Sequence, residues 1–374
     1  MARSINSDRS GDIAWTDKLR GRIYASRAIP NPLHLGGGYD TGPCWLNHVW
    51  PLDLETCWTD ALDVSWGGVA DWAEPPNAVP RGLLHATPQM ATLAERACAA
   101  FGKRLATLDA DVEAAMATLA LRKSWSGFPL WCAMHGEVFA LRVLLKMAAS
   151  SSSEHEHAIR DHGLYLRASA DHAASELFEH KNAWRMLRGV IAAANDDVYA
   201  EARTLADAVR RSLAPEFHAA VAFAFPDEPW GNDAADAMLA SSGDGRWEPV
   251  QMLVTVAEPA RGVQLAKLGY PLELHFLVTM LAHHGARAVP VLAAALDSVA
   301  SGDARKEIAD VLAMVRTQDA LEAFLPWLGK SAVATPLKRA FKAQPEVAAK
   351  LLKPHATGTG KPGTAAKAIL AKLA

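Results

Sequence analysis

Cysteine is scarce in this chain. Four cysteines among 374 residues (Cys44, Cys57, Cys98 and Cys132) are too few and too scattered for the disulfide framework of a small secreted domain. No apolar run approaches the roughly 18 residues that span a membrane. The opening, Met1-Ala2-Arg3-Ser4-Ile5-Asn6-Ser7-Asp8-Arg9, lacks the apolar centre of a signal peptide. A reduced, cytoplasmic protein without membrane contact is the expectation. Acidic residues run out late in the chain: from Lys330 onward nine Lys or Arg stand against Glu346 alone. That segment carries +8, and since the whole chain is −3, the residues before it carry −11. Catalytic signatures are missing as well. No His-Glu-x-x-His occurs, and Gly358-Thr359-Gly360-Lys361-Pro362 fails as a phosphate loop. His355 and Pro362 stand where that loop needs Gly and Ser or Thr.

Half of the residues are apolar and 21% are charged, the balance of a folded globular chain. At this length one compact core is not expected; two or three packed units or one elongated array are. Residues 1–88 stand apart. They hold six of the twelve tryptophans (Trp15, Trp45, Trp50, Trp58, Trp66 and Trp72) among breakers such as Pro30, Pro32, Gly36-Gly37-Gly38 and Pro75-Pro76. Such punctuation rules out long helices, so an irregular, Trp-rich cap on a helical body is expected.

From Thr87 onward the apolar residues fall at helical spacing. Trp131, Met134, Val138, Leu141, Leu145 and Ala148 form one stripe, closed by the serines 150–153. Leu177, Trp184, Leu187 and Ile191 form another, with Asn195-Asp196-Asp197 as its stop and the cap of the next helix. Pro226, Pro229, Gly231, Gly243, Gly245 and Pro249 mark 226–249 as an irregular break between a helical domain at 89–225 and a second at 250–353. There Phe276, Leu277, Met280 and Leu281 share a face, and Gly285 supplies a left-handed stop. Val289, Leu292, Ala295, Leu296 and Val299 line the return helix. Ile308, Val311, Leu312 and Val315 line the next, capped by Ser301 or Asp303. Leu321, Phe324, Leu325 and Leu328 follow, capped by Asp319. Residues 354–374 read as a basic flexible tail with a short terminal helix.

Leu272–Val299 and Arg305–Leu328 are then successive helical hairpins. Val289-Pro290-Val291-Leu292 is echoed thirty-six residues on by Phe324-Leu325-Pro326-Trp327-Leu328, a spacing in the range of helical repeats. On these residues, and on the hairpin from Leu281 to Leu296, the chain resembles HEAT-like (armadillo-type) helical repeat proteins over residues 250–353. The style of this half is also similar to helical segments of large bacterial multidomain proteins. The resemblance implies an all-α fold, an α–α superhelix or solenoid capped by residues 1–88. It implies a non-enzymatic scaffold that binds another protein along an extended face, with no cofactor.

Two polar groupings supply alternatives. Between Glu154 and His180 five histidines crowd together with Asp161 and Asp171. His157 and Asp161, four apart, would share a helix face and could reach one metal ion. With His162 and His172 they are the candidate ligands of a metal-dependent hydrolase, although a solvated helix accounts for the same letters. Cys44, His48 and Cys57 approach a zinc pattern but lack a fourth ligand beyond His34. Cys132 and His135 lie amid an apolar stripe, where cysteines are inert. The second grouping is Lys338, Arg339, Lys342, Lys350 and Lys353, the candidate partner-binding residues. They would draw acidic partners, and a phosphate backbone is one such class, so non-specific nucleic-acid binding is a further alternative. Phe341 is the one aromatic from Lys330 onward, so base stacking is not expected.

Overall fold

A computed structural model describes residues 12–20, 22–27, 136–152, 183–241 and 246–373. Among these residues 76% are helical, counting α and 3-10 turns together, and none belongs to a strand. The all-α expectation holds. After a single α-turn at Asp17–Arg20, the helices are α1 (Glu137–Ser152), α2 (183–193), α3 (Asp196–Val209), α4 (Pro215–Ala224), α5 (Trp230–Ala240), α6 (Trp247–Val254) and α7 (Pro259–Ala266). After them come α8 (Leu274–His284), α9 (Val289–Ser298), α10 (Gly302–Leu312), α11 (Gln318–Phe324), α12 (Ala334–Ala343), α13 (Pro345–Ala356) and α14 (Gly360–Leu370).

Local chemistry sets their ends. Asn195 caps α3 by accepting the Val198 N–H (2.9 Å), as its position in the sequence suggested. Ser301 rather than Asp303 caps α10, and Thr317 rather than Asp319 caps α11, each accepting an N–H three residues on. Asp303 and Asp319 sit two positions too late to cap and instead lie in the first turn, where a carboxylate suits the positive end of the helix. Gly285 closes α8 at φ +61°, a region costly for a residue with a Cβ.

Prolines here open helices more often than they break them. Pro215, Pro259, Pro290 and Pro345 all stand in a first turn, where the missing N–H is no loss and the fixed φ is already helical. The break expected at 226–249 therefore contains α5, entered through Pro229, and the start of α6, with Pro249 in its first turn. The basic tail expected after residue 353 is also helical: α13 runs on to Ala356, and α14 packs against it and buries Ala366 and Ile369. Helix α1 runs through three of the four serines expected to end it.

Two rows of helices organise the packing. α4, α6, α8, α10 and α12 each touch the next in that series, and α5, α7, α9, α11 and α13 do likewise. Sequence neighbours cross-link the rows: α4 with α5, α6 with α7, α9 with α10, α11 with α12, and α8 with α9 through the 3-10 turn Gly285–Ala288. The first members of the pairs begin at Pro215, Trp247, Leu274, Gly302 and Ala334, roughly thirty residues apart. That is shorter than the spacing suggested by Pro290 and Pro326. Pro290 opens α9, whereas Pro326 lies in the 3-10 turn that follows α11, so the two prolines are not equivalent.

The stripes read from the sequence face inward. Trp184, Leu187, Ile191, Phe276, Leu277, Met280, Leu281, Leu292, Leu296, Ile308, Leu312, Leu321 and Phe324 are all buried in one continuous core. Leu325 is only half-buried. By length and apolar composition, Leu274–Ser298 could cross a membrane. It is 61% buried inside the protein and is broken by the turn at Gly285, which makes it the α8–α9 hairpin. Leu292→Ala and Leu312→Ala, each at 0% exposure, are expected to cost about 2–5 kcal/mol apiece in urea unfolding. Losses below 0.5 kcal/mol (roughly the level of a surface change) at both sites would contradict this packing.

Residues 12–20 and 22–27 lie across the α4–α10 row. The Ala14 N–H donates to the Met314 carbonyl (2.8 Å) and the Arg316 N–H to the Asp12 carbonyl (2.6 Å), forming an antiparallel bridge between Ile13 and Val315. Further along, the Tyr24 N–H donates to Thr279 Oγ1 on α8 (2.9 Å) and its ring packs edge-on to Phe223 of α4 (5.1 Å). Arg27 ends the crossing, donating from its N–H to Asp227, pairing with Asp196 and covering the Tyr199 ring.

Candidate functional site

His157, Asp161, His162 and His172 lie outside the described residues, as do Cys44, His48, Cys57, His34, Cys132, His135 and every residue of the Trp-rich segment except 12–20 and 22–27, so that Trp15 is its one described tryptophan. Among the described residues no group of three or more His, Cys, Asp or Glu is placed to hold a metal ion.

The five basic candidates are all on the surface, on two helices. Lys338, Arg339 and Lys342 ride on the exposed side of α12, opposite the buried Leu337 and Phe341; Lys350 and Lys353 ride on α13. Amphipathicity dictates this, because α12 buries one face and must solvate the other. Arg339 is already engaged, donating to Asp310 Oδ1 (2.9 Å) and to the Asp310 carbonyl (3.1 Å). The basic end is thus partly matched by the acidic body.

Beside these helices lies a cleft of about 570 Å³, bounded by the 325–331 turn, α12 and α14. Leu337 and Ile369 form its buried floor, and Lys330, Lys338 and Lys361 stand around it. Gly329 shapes it. At φ +79° its missing Cβ would meet the Lys361 carbonyl carbon and oxygen at 2.9 Å, so only glycine lets the turn lie this close to the start of α14. Lys338 alone of the five sequence candidates lines this cleft. From the sequence Lys330 counts only towards the charge of the segment, and Lys361 towards that charge and the failed phosphate loop.

A second polar centre is buried where Tyr24 meets the helices. Arg185 on α2 donates to Glu248 Oε1 on α6 (2.6 Å), with Glu273 Oε2 at 3.6 Å. Arg188, one turn on, is buried at 1% exposure with no carboxylate within ion-pair distance among the described residues. It donates from Nε to the Ala25 carbonyl (2.7 Å) and from Nη1 to the Phe223 carbonyl (3.1 Å), and its guanidinium lies over the Phe223 ring. Burial lowers the Arg188 pKa to about 9 and pushes the Tyr24 hydroxyl up. At neutral pH Arg188 is charged and Tyr24 protonated, so neither is poised to exchange a proton. Gln251 accepts the Glu273 N–H (2.6 Å), tying α6 to the start of α8. The centre reads as a set of clamps on backbone carbonyls and N–H groups. A signal for it existed: Arg188 stands inside the apolar stripe of Trp184, Leu187 and Ile191.

A third cluster joins the end of α3 to α4 and α5. Arg210 lies over the Trp230 ring and donates to Asp207 (2.8 Å) and Asp233 (3.4 Å), and its Nη1 is 3.1 Å from His218 Nε2. A guanidinium only donates, so this histidine nitrogen accepts and carries no proton. Burial, then the charge of Arg210, lower the His218 pKa to about 4.

Compared with protein-family models, curated proteins and solved structures, the chain matches none of them. Function therefore has to be argued from the geometry above.

Proposed function

We propose that this chain is a non-enzymatic, protein-interaction scaffold of the HEAT-like helical-repeat type, its paired helices forming an α–α superhelix. The observation that carries the reading is the two-row contact pattern, in which each helix packs on the next member of its own row and sequence neighbours tie the two rows together. Such stacking buries apolar faces through near neighbours and leaves long surfaces free for a partner. The charge states of the buried groups support it, since Tyr24, Arg188 and His218 serve packing and give no nucleophile–base pair. The exposed lysines of α12 and α13 give the partner a sign: acidic.

The test is capture of partners from cells that make the protein, using the intact chain and the surface variant Lys342→Glu/Lys350→Glu/Lys353→Glu. A protein bound by the intact chain at 0.15 M salt and lost by the variant is the expected result. Equal capture by both would remove the basic helices from the reading. The excess of positive charge after Lys330 also favours a second reading, weak sequence-independent nucleic-acid binding. A duplex would show itself by affinity falling about 0.9 log unit per phosphate contact for each decade of salt.

A further inference from the structure

We propose that the cleft between the 325–331 turn, α12 and α14 is a docking site for an acidic, amphipathic segment of a partner protein. It rests on the scaffold reading and deepens it, naming one site and the chemistry of its occupant.

The cleft has two kinds of wall. Its floor is apolar, formed by Leu337 and Ile369, with Ala365 and Ala368 of α14 alongside. Its rim carries Lys330, Lys338 and Lys361, all exposed and none of them in an ion pair among the described residues. The nearby Arg339 shows the contrast, being committed to Asp310. An apolar floor asks for aliphatic or aromatic side chains, and an unpaired cationic rim asks for carboxylates. A peptide with Leu or Phe on one face and Asp or Glu on the other supplies both, in the groove-docking mode of amphipathic helices.

The same residues argue against a phosphate backbone as occupant. A duplex offers charge without apolar side chains to fill the floor. Stacking of unpaired bases would need a free aromatic face, and Trp327 has little to give. The Arg305 guanidinium lies 5.3 Å from its ring centre, and its indole N–H donates to Asp297 (3.1 Å).

The experiment uses the full chain and fluorescence anisotropy at 0.15 M salt. The probe is a labelled synthetic peptide with leucine at i, i+3, i+4 and i+7 and glutamate elsewhere. The comparators are a scrambled peptide of the same composition, a glutamate-only peptide and a labelled DNA duplex. The expected result is binding of the amphipathic peptide at least about tenfold tighter than its scramble. Two variants should each weaken it by about tenfold or more, a factor within reach of a few lost contacts. Lys338→Glu/Lys361→Glu reverses the rim, and Ala368→Trp fills the cleft without changing charge. All three positions are exposed, and each variant should keep the wild-type circular dichroism.

Three outcomes would overturn the proposal: no peptide binding, equal binding of the glutamate-only peptide, or binding untouched by Ala368→Trp. DNA binding that falls with the reversed rim and ignores the filled cleft would assign the lysines to phosphate instead. If the peptide fails while cellular partners are still lost with the Lys342, Lys350 and Lys353 reversals, the cleft is wrong and the scaffold stands. If neither variant set affects any partner, both fail.

Discussion

Replacing Glu248 by alanine should destabilise the protein by about 3–5 kcal/mol, the usual cost of stranding one member of a buried ion pair. Arg185 and Glu248 are both nearly excluded from solvent, with side-chain exposures of 6% and 1%. Arg185 cannot shed its charge when Glu248 is removed, because a guanidinium stays protonated at neutral pH even when buried. Glu273, at 3.6 Å and partly exposed, offers incomplete compensation. The double replacement Arg185→Met/Glu248→Leu should cost much less than the two single losses together, since an apolar pair needs no solvation. Urea unfolding of the wild type, Arg185→Met, Glu248→Leu and the double variant gives the coupling directly. A single loss under 1 kcal/mol (roughly the value of an exposed pair) would show that water reaches the pair.

Acid should unfold the protein through two histidines. His218 and His284 are each about 6% exposed, and their pKa values fall to about 4 and about 3. Burial is the first cause for both, followed by the Arg210 charge for His218 and by His283 for His284. In the unfolded chain each titrates near 6.5, so below that pH the unfolded state holds a proton that the folded state refuses. Stability is fully present above about pH 6.5 and drains away towards pH 4, at up to about 1.4 kcal/mol per pH unit for each histidine. The urea midpoint should drop steeply from pH 7 to pH 5. His218→Gln and His284→Gln should each make that slope shallower while lowering the midpoint at pH 7. A slope unchanged by both replacements would place these rings in water.

Much of the fold could be read in the sequence, and where the reading failed there were physical causes. Helices α8 to α11 were legible because their core residues recur at three and four and because Gly285 stops the first of them. Asn195 was legible as a cap for the same local reason. Ser301 and Thr317 were missed or left open in favour of Asp303 and Asp319. A carboxylate in the first turn and a cap two positions earlier give almost the same letters.

Helix α5 is hidden in the sequence because Pro226, Pro229 and Gly231 read as breakers. In the structure Pro229 is the entry to the helix, and Gly231 sits where its missing Cβ would strike the Val256 carbonyl oxygen at 2.5 Å. The basic end was legible as charge. The cleft was not, since it depends on Gly329 meeting Lys361 across a turn. Arg185 and Glu248 belong to helices sixty residues apart, and no local pattern announces that they meet.

Helices that touch only their near neighbours can come apart one at a time, starting from an end. Residues 12–27 take that freedom away. Ala14 and Asp12 are joined to Met314 and Arg316 across some three hundred positions, and Tyr24 and Ala25 are gripped by Thr279 and Arg188 on the way. The row from α4 to α10 is laced by one thread, which ties α4, α8 and the end of α10 to one another. The chain gives up rapid, piecemeal assembly, because contacts this distant in sequence form slowly. In exchange its midsection is expected to open and close as one cooperative unit, keeping a single fixed shape along that row.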